Sequence, residues 1–179
     1  MLKKTVIVIG ILVVVFVVIV AVQPGEYSVV RSATMAAPTA AVFEQVNDFH
    51  KWDAWSPWAK LDPTMKQTYE GPPAGTGAIY YWAGNKKVGE GRMTITDSRA
   101  SDLIRIKLEF IKPFASDADT EFAFKPEASQ TGVTWSMAGK KNFMSKAFGL
   151  FVNMDKMIGG DFEKGLTQLK SAVEMSSRK

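Results

Sequence analysis

Three side chains are the natural candidates for moving a proton: Asp155, His50 and Tyr81. His50 is the sole histidine. An imidazole changes charge near neutral pH, which suits general acid or base work; the bland alternative is a solvated loop residue. Asp155 falls inside an apolar stripe of helical period. If the helix is continuous there, its carboxylate points into an apolar space and needs Arg92, Arg105 or a hydroxyl as a partner, or else its proton affinity rises. It would then hold a ligand head group or exchange a proton. If the helix begins later, Asp155 is a solvated cap. Tyr81 offers a phenol as a further donor or acceptor.

Trp52, Trp55 and Trp58 follow one another at spacing three, so three of the five tryptophans fall within seven positions. They could form an aromatic lid at the mouth of a ligand space or touch a membrane interface, where tryptophan is enriched. They could equally plug the open end of a sheet as ordinary core, which the high average burial of tryptophan favours. Glu90 and Arg92 share one strand face, opposite Met93 and Ile95, and read as the wet side of a sheet unless Gly89 and Gly91 mark a bulge that switches register.

Several chemistries are closed off. The chain has no cysteine and one histidine, so disulfides, thiolate zinc sites and cysteine nucleophiles are excluded, and no metal or other cofactor is expected. Gly75-x-Gly77 and Gly89-x-Gly91 lack the rest of a dinucleotide fingerprint and read as turns or strand bends. There is no P-loop, no Gly-x-Ser-x-Gly and no His-Glu-x-x-His. The formal charge is +4, and Lys3 and Lys4 supply part of it, leaving 20 basic against 18 acidic groups beyond them. That balance gives no electrostatic footprint for nucleic acid.

The elements that must position these residues begin with an address. Thr5 to Val22 is an 18-residue uncharged run in which 15 residues are Val, Ile, Leu or Phe. A helix of that length spans about 27 Å, against a hydrocarbon core of about 30 Å. Lys3 and Lys4 before it and Glu26 after it predict a cytoplasmic N-terminus and an outer remainder. A cleaved signal peptide is the competing reading, but its apolar run is usually about 7–15 residues and ends at a small-x-small site, which Ile19-Val20-Ala21 and Val20-Ala21-Val22 do not supply. Residues 1–25 are therefore expected to be a membrane anchor, or signal peptide, with a short linker, and residues 26–179 a single domain. The expected address is the inner membrane, crossed once, with the domain on the extracytoplasmic side.

Beyond Glu26 the hydrophobic period is mostly two. Tyr27–Met35 is a first strand. Pro38 opens a helix through Asn47-Asp48, and a short helical or looped piece carries His50–Trp58. Six strands follow, expected at 65–70, 78–82, 88–96, 103–111, 119–124 and 132–138 and separated by Gly-, Pro- and Asp-rich turns. One dry and one wet face imply an antiparallel sheet covered on one side. The cover is C-terminal: Met144, Phe148, Phe151, Asp155, Ile158, Phe162, Leu166, Leu169 and Val173 fall within an arc of about 80° at helical period. Gly159-Gly160 is expected to interrupt or kink this helix, and Gly165 implies a closely packed neighbour. Lys170, Arg178 and Lys179 sit at the end favoured by the helix dipole.

Four segments, Ala37-Pro38-Thr39-Ala40-Ala41-Val42-Phe43, Trp52–Trp58, Val88-Gly89-Glu90-Gly91 and Asp161–Leu166 with Leu169-Lys170, together with this order of elements, resemble the polyketide cyclase/dehydrase-like (SRPBCC) branch of the START-like superfamily. The resemblance covers roughly residues 26–175. It implies an α+β helix-grip fold, a curved antiparallel sheet wrapped around a long C-terminal helix, here preceded by one transmembrane helix. It also implies a deep apolar cavity that takes lipids or other hydrophobic small molecules. It implies no fixed catalytic set, since the superfamily mixes carriers, sensors, cyclases and co-chaperone-like modules. The anchor is the departure from the family pattern. The residues expected to line the cavity are Trp52, Trp55, Trp58, Trp82, Trp135, Phe148, Phe151, Asp155, Ile158 and Phe162. The leading reading is a binding module for a lipid or another hydrophobic molecule; the alternatives are a cyclase, dehydrase or hydrolase working in the same cavity, and a protein-interaction module.

Overall fold

The computed structural model describes residues 2–176, and Arg178 and Lys179 lie outside the described residues. The chain opens with helix α1 (Leu2–Ala21), then strand β1 (Glu26–Met35), helix α2 (Thr39–Asn47) and a short 3-10 helix (Phe49–Ala54). Strands β2 (Lys66–Glu70), β3 (Ile79–Ala83), β4 (Glu90–Arg99), β5 (Leu103–Lys112), β6 (Ser116–Glu127) and β7 (Gln130–Lys140) follow, before helices α3 (Phe143–Gly149) and α4 (Met154–Ser176). The expected α+β helix-grip arrangement is the one observed. The seven strands form one antiparallel sheet in the order β1-β7-β6-β5-β4-β3-β2.

Alternation builds the sheet's dry face. In β7 Val133, Trp135 and Met137 are buried, in β6 Phe122 and Phe124, and in β5 Ile104, Ile106 and Leu108. They meet Phe162, Leu166, Leu169 and Val173 of α4. The wet face is laced by cross-strand ion pairs: Arg92 with Glu109 at 2.5 Å, and Arg105 with Glu121 at 2.9 Å. The glycines before and in β4 are the bend the sequence allowed for. Gly89 has φ +66, and the register of β4 on β5 shifts at Glu90/Gly91 and again at Ile95/Asp97. Extra residues of this kind sharpen local twist and curl a sheet.

The C-terminal stripe is not one helix. It breaks over residues 150–153, between α3 and α4, and α4 runs unbroken through Gly159-Gly160. Each helix has its own asparagine at its start, and the second, Asn153, lies at the break. Asn142 Oδ1 accepts from Ser145 N at 2.8 Å and Asn153 Oδ1 accepts from Lys156 N at 3.0 Å. Each satisfies an amide that a helix N-terminus leaves unpaired. Gly165 has the close neighbour its presence implied: a Cβ there would lie 2.7 Å from Trp135 Cζ3 and 3.1 Å from Pro57 Cδ.

Helix α1 is long and apolar enough over Lys3–Ala21 to cross a membrane, and its side chains from Val6 to Ile19 are exposed. Only the residues from Val22 to Gly25 separate it from β1.

Candidate functional site

The aromatic residues expected to line a hollow are packed on one another. Trp135 is 1% exposed and stacks on Phe162 at 3.9 Å and on Phe122 at 4.7 Å. Trp55 lies edge-on to Trp135 at 5.8 Å, Trp52 packs on Trp55 at 4.7 Å, and half-buried Trp58 meets Trp135 edge-on. The sequence left the Trp triplet between lid and core, and here its two leading rings are core. Their indole N–H groups explain the placement: Trp52 Nε1 donates to Val46 O at 2.9 Å and Trp55 Nε1 to Gln45 O at 3.0 Å. Both acceptors are carbonyls of the last turn of α2, which an α-helix leaves without partners. Trp82 packs over Gly91 and donates to Val88 O at 3.0 Å. Ile158 is partly buried against the same cluster.

An open space lies beside this core. A groove of about 510 Å³ runs between edge strand β1 and the α3–α4 connection. Tyr27, Ser28 and Val29 form one wall, Lys141 one end, and residues 149–155, among them Phe151 and Asp155, the other wall. Burial raises the proton affinity of Tyr27; its hydroxyl approaches Met137 Sδ at 3.8 Å. Leu150, Phe151 and Met154 thus share one space with a cation, a carboxylate and an amide, a lining suited to an amphiphile.

Asp155 stands in the first turn of α4, with its side chain 56% exposed. Its partner is Arg31, not Arg92 or Arg105. Arg31 Nη1 and Nη2 reach the two carboxylate oxygens at 3.1 Å each, and Nε donates to Glu163 at 2.7 Å. The guanidinium holds the Asp155 carboxyl below the usual carboxylate range, and the two carboxylates push Arg31 further up. Asp155 is therefore an anion at neutral pH and not a proton donor.

His50 and Tyr81 stand elsewhere. His50 Nδ1 lies 2.9 Å from Asp48 Oδ1, its ring stacks on Tyr69 at 4.0 Å, and it lines a second cleft of about 230 Å³ with Tyr69, Glu70 and Pro72. Tyr81 lies on the wet face under the Arg92 guanidinium, 5.9 Å from its ring centre. Asp155, His50 and Tyr81 thus share no common space. Phe148 is exposed on α3. Among the described residues no group of three or more His, Cys, Asp or Glu side chains is gathered as a metal would require.

Arg31, Tyr27 and Lys141 escaped the sequence reading. The signal for Arg31 was its phase. Tyr27, Val29, Arg31, Ala33 and Met35 share the dry face of β1, and a charge in that phase demands an opposite charge from whatever covers it.

The polyketide cyclase / dehydrase and lipid transport family matches residues 26–174. No curated protein matches the sequence. Among solved structures, a Nitrosospira multiformis protein superimposes with a TM-score of 0.60 at 18% identity, covering 86% of this chain and 100% of that one. The Aha1 dimer of Colwellia psychrerythraea gives 0.60 at 12% identity, covering 83% and 96%. A Chromobacterium violaceum protein gives 0.60 at 13% identity, covering 82% and 96%. At such identities these are likenesses of fold.

Proposed function

This chain belongs to the polyketide cyclase / dehydrase and lipid transport family, and from that premise we propose that it holds a lipid or other hydrophobic small molecule beside the membrane it is anchored in. Residues 26–179 are the binding domain, and the groove between β1 and the α3–α4 connection is the site. The observation that carries this reading is the groove's lining. About 510 Å³ with Phe151 and Met154 beside Lys141 and Asp155 falls within the usual range for small-molecule sites, about 300–1,000 Å³. The acyl part of an amphiphile packs on the apolar wall and its polar head meets the charges. Helix α1 crosses the inner membrane once, with Lys3 and Lys4 keeping the N-terminus inside and the domain outside.

The test is native mass spectrometry on the full chain in detergent after exposure to phospholipids and free fatty acids. A bound species released by competition is expected; absence of every such adduct overturns the reading.

A further inference from the structure

The sheet has two ends, and its registers say which features share one. Glu26 of β1 pairs with Lys140 of β7, Ala118 of β6 with Gly139, and Glu90 of β4 with Lys112 of β5. The start of β1, the β5–β6 turn and the exit of β7 into α3 therefore lie together. Helix α1 arrives at this same end through residues 22–25, a link that spans no more than about 14 Å when fully extended. Lys146 of α3 donates to Ala21 O at the end of α1, at 3.2 Å.

This end is also where large apolar side chains stand free of the core. Phe114 in the β5–β6 turn is 71% exposed, Phe148 53% and Phe151 81%. Phe143, Met144, Ala147, Phe148 and Phe151 recur at spacings of one and three, so α3 and the turn after it carry one apolar face. Lys112, Lys140, Lys141 and Lys146 stand at this end, with Glu26, Glu90 and Asp117, the second residue of β6, as its acids; Glu90 is taken up by Lys112 at 2.8 Å. Apolar rings fringed by lysines are the composition of an element that lies in a lipid interface, and basic side chains there are drawn to anionic headgroups.

We infer that α3 and the β5–β6 turn form a docking surface for the bilayer that α1 crosses. Phe114, Phe148 and Phe151 enter the headgroup–acyl boundary, and the groove, whose lip is Phe151, opens onto lipid. The inference rests on the reading of α1 as an uncleaved span, and it adds the route by which a ligand drawn from the membrane reaches the site.

The chain has no cysteine, so single cysteines can be labelled uniquely. The full chain carrying Phe114→Cys, Phe148→Cys or, at the far end of α4, Met175→Cys is labelled with an environment-sensitive fluorophore and reconstituted in phosphatidylcholine/phosphatidylglycerol vesicles. Labels at 114 and 148 are expected to be quenched several-fold more by spin-labelled lipid than by aqueous iodide, and the label at 175 the reverse. Removing phosphatidylglycerol is expected to weaken the lipid quenching. Labels at 114 and 148 as open to iodide as that at 175 overturn the docking surface, and so does failure of the chain to float with the vesicles after an alkaline wash. Lipid adducts are scored separately by native mass spectrometry on the same samples: adducts without immersion sink docking alone, and immersion without adducts sinks the binding site alone.

Discussion

Arg31 lies directly over Gly159. A Cβ built on Gly159 would overlap the Arg31 guanidinium, whose Nε would sit only 2.8 Å from it. The absence of a side chain at this point of α4 lets a cation from β1 lie flat against the helix and reach Asp155 and Glu163, just over a turn either side of the glycine. The same contact fixes the start of α4 on the edge strand and so sets one wall of the groove.

Neighbouring glycines should then respond differently. Gly159→Ala gains the same helix preference but displaces Arg31 from Asp155 and Glu163, so it is expected to be less stable than Gly160→Ala. Gly160→Ala meets nothing within 4 Å and is expected to stabilise by about 0.5–1 kcal/mol, the helix preference of Ala over Gly. Urea denaturation of the two variants decides it. Equal shifts in the same direction would remove the packing account of Gly159.

The Arg31–Asp155 pair also predicts a pH dependence. Asp155 has its folded-state proton affinity lowered, chiefly by the hydrogen bond from Arg31. Its stabilising contribution is therefore complete above the unfolded carboxyl value, about 3.9, and fades as pH falls through the lower folded value. The stability gap between the native chain and Asp155→Asn should be constant from pH 7 to 5 and close below pH 4. A gap that widens in acid would mean that the carboxyl is held protonated.

Thr120 Oγ1 is buried with no hydrogen-bond partner among the described residues. It points from the dry face of β6, opposite Met137. An unpaired buried hydroxyl costs about 1–3 kcal/mol, so Thr120→Val, which keeps the shape, is expected to leave stability unchanged or raise it by up to about 1 kcal/mol. A loss of more than 1 kcal/mol in thermal unfolding would show that the hydroxyl is paired in solution.

How much of this was legible follows from which forces leave a local trace. Alternation in β5 and β7 marked those strands, because each residue's face is set by its own parity. The far end of β6 was hidden: Pro126, which has no N–H to give a ladder, argued for a stop after Phe124, yet it is paired with Thr131 near the hairpin turn. The α3–α4 break was hidden for a different reason. Four residues of connection kept the helical phase, so Phe148 and Phe151 looked continuous with Phe162, and only Asn153, which caps α4, gave a local sign. Whether a tryptophan plugs or opens a space depends on partners such as Gly165 and the carbonyls of α2, which spacing does not encode. Arg31 and Asp155 lie 124 residues apart, and nothing local joins them.

Phe151 separates ligand binding from folding most cleanly. It lines the groove yet is 81% exposed, so its replacement removes apolar wall without opening the core, and surface changes of this kind usually cost under about 0.5 kcal/mol. Phe151→Asp sets a second carboxylate in the groove beside Asp155, where it repels a lipid phosphate and cannot pack on an acyl chain. Lipid occupancy of the full chain, measured by native mass spectrometry against a fixed lipid excess, is expected to fall several-fold with the unfolding midpoint within a few degrees of the native chain. Lys141→Glu should lower occupancy for anionic lipids more than for neutral ones, because it reverses the one cation at the groove's end. Undiminished occupancy in both variants, with the fold intact, would move the binding site away from this groove and toward the His50 cleft.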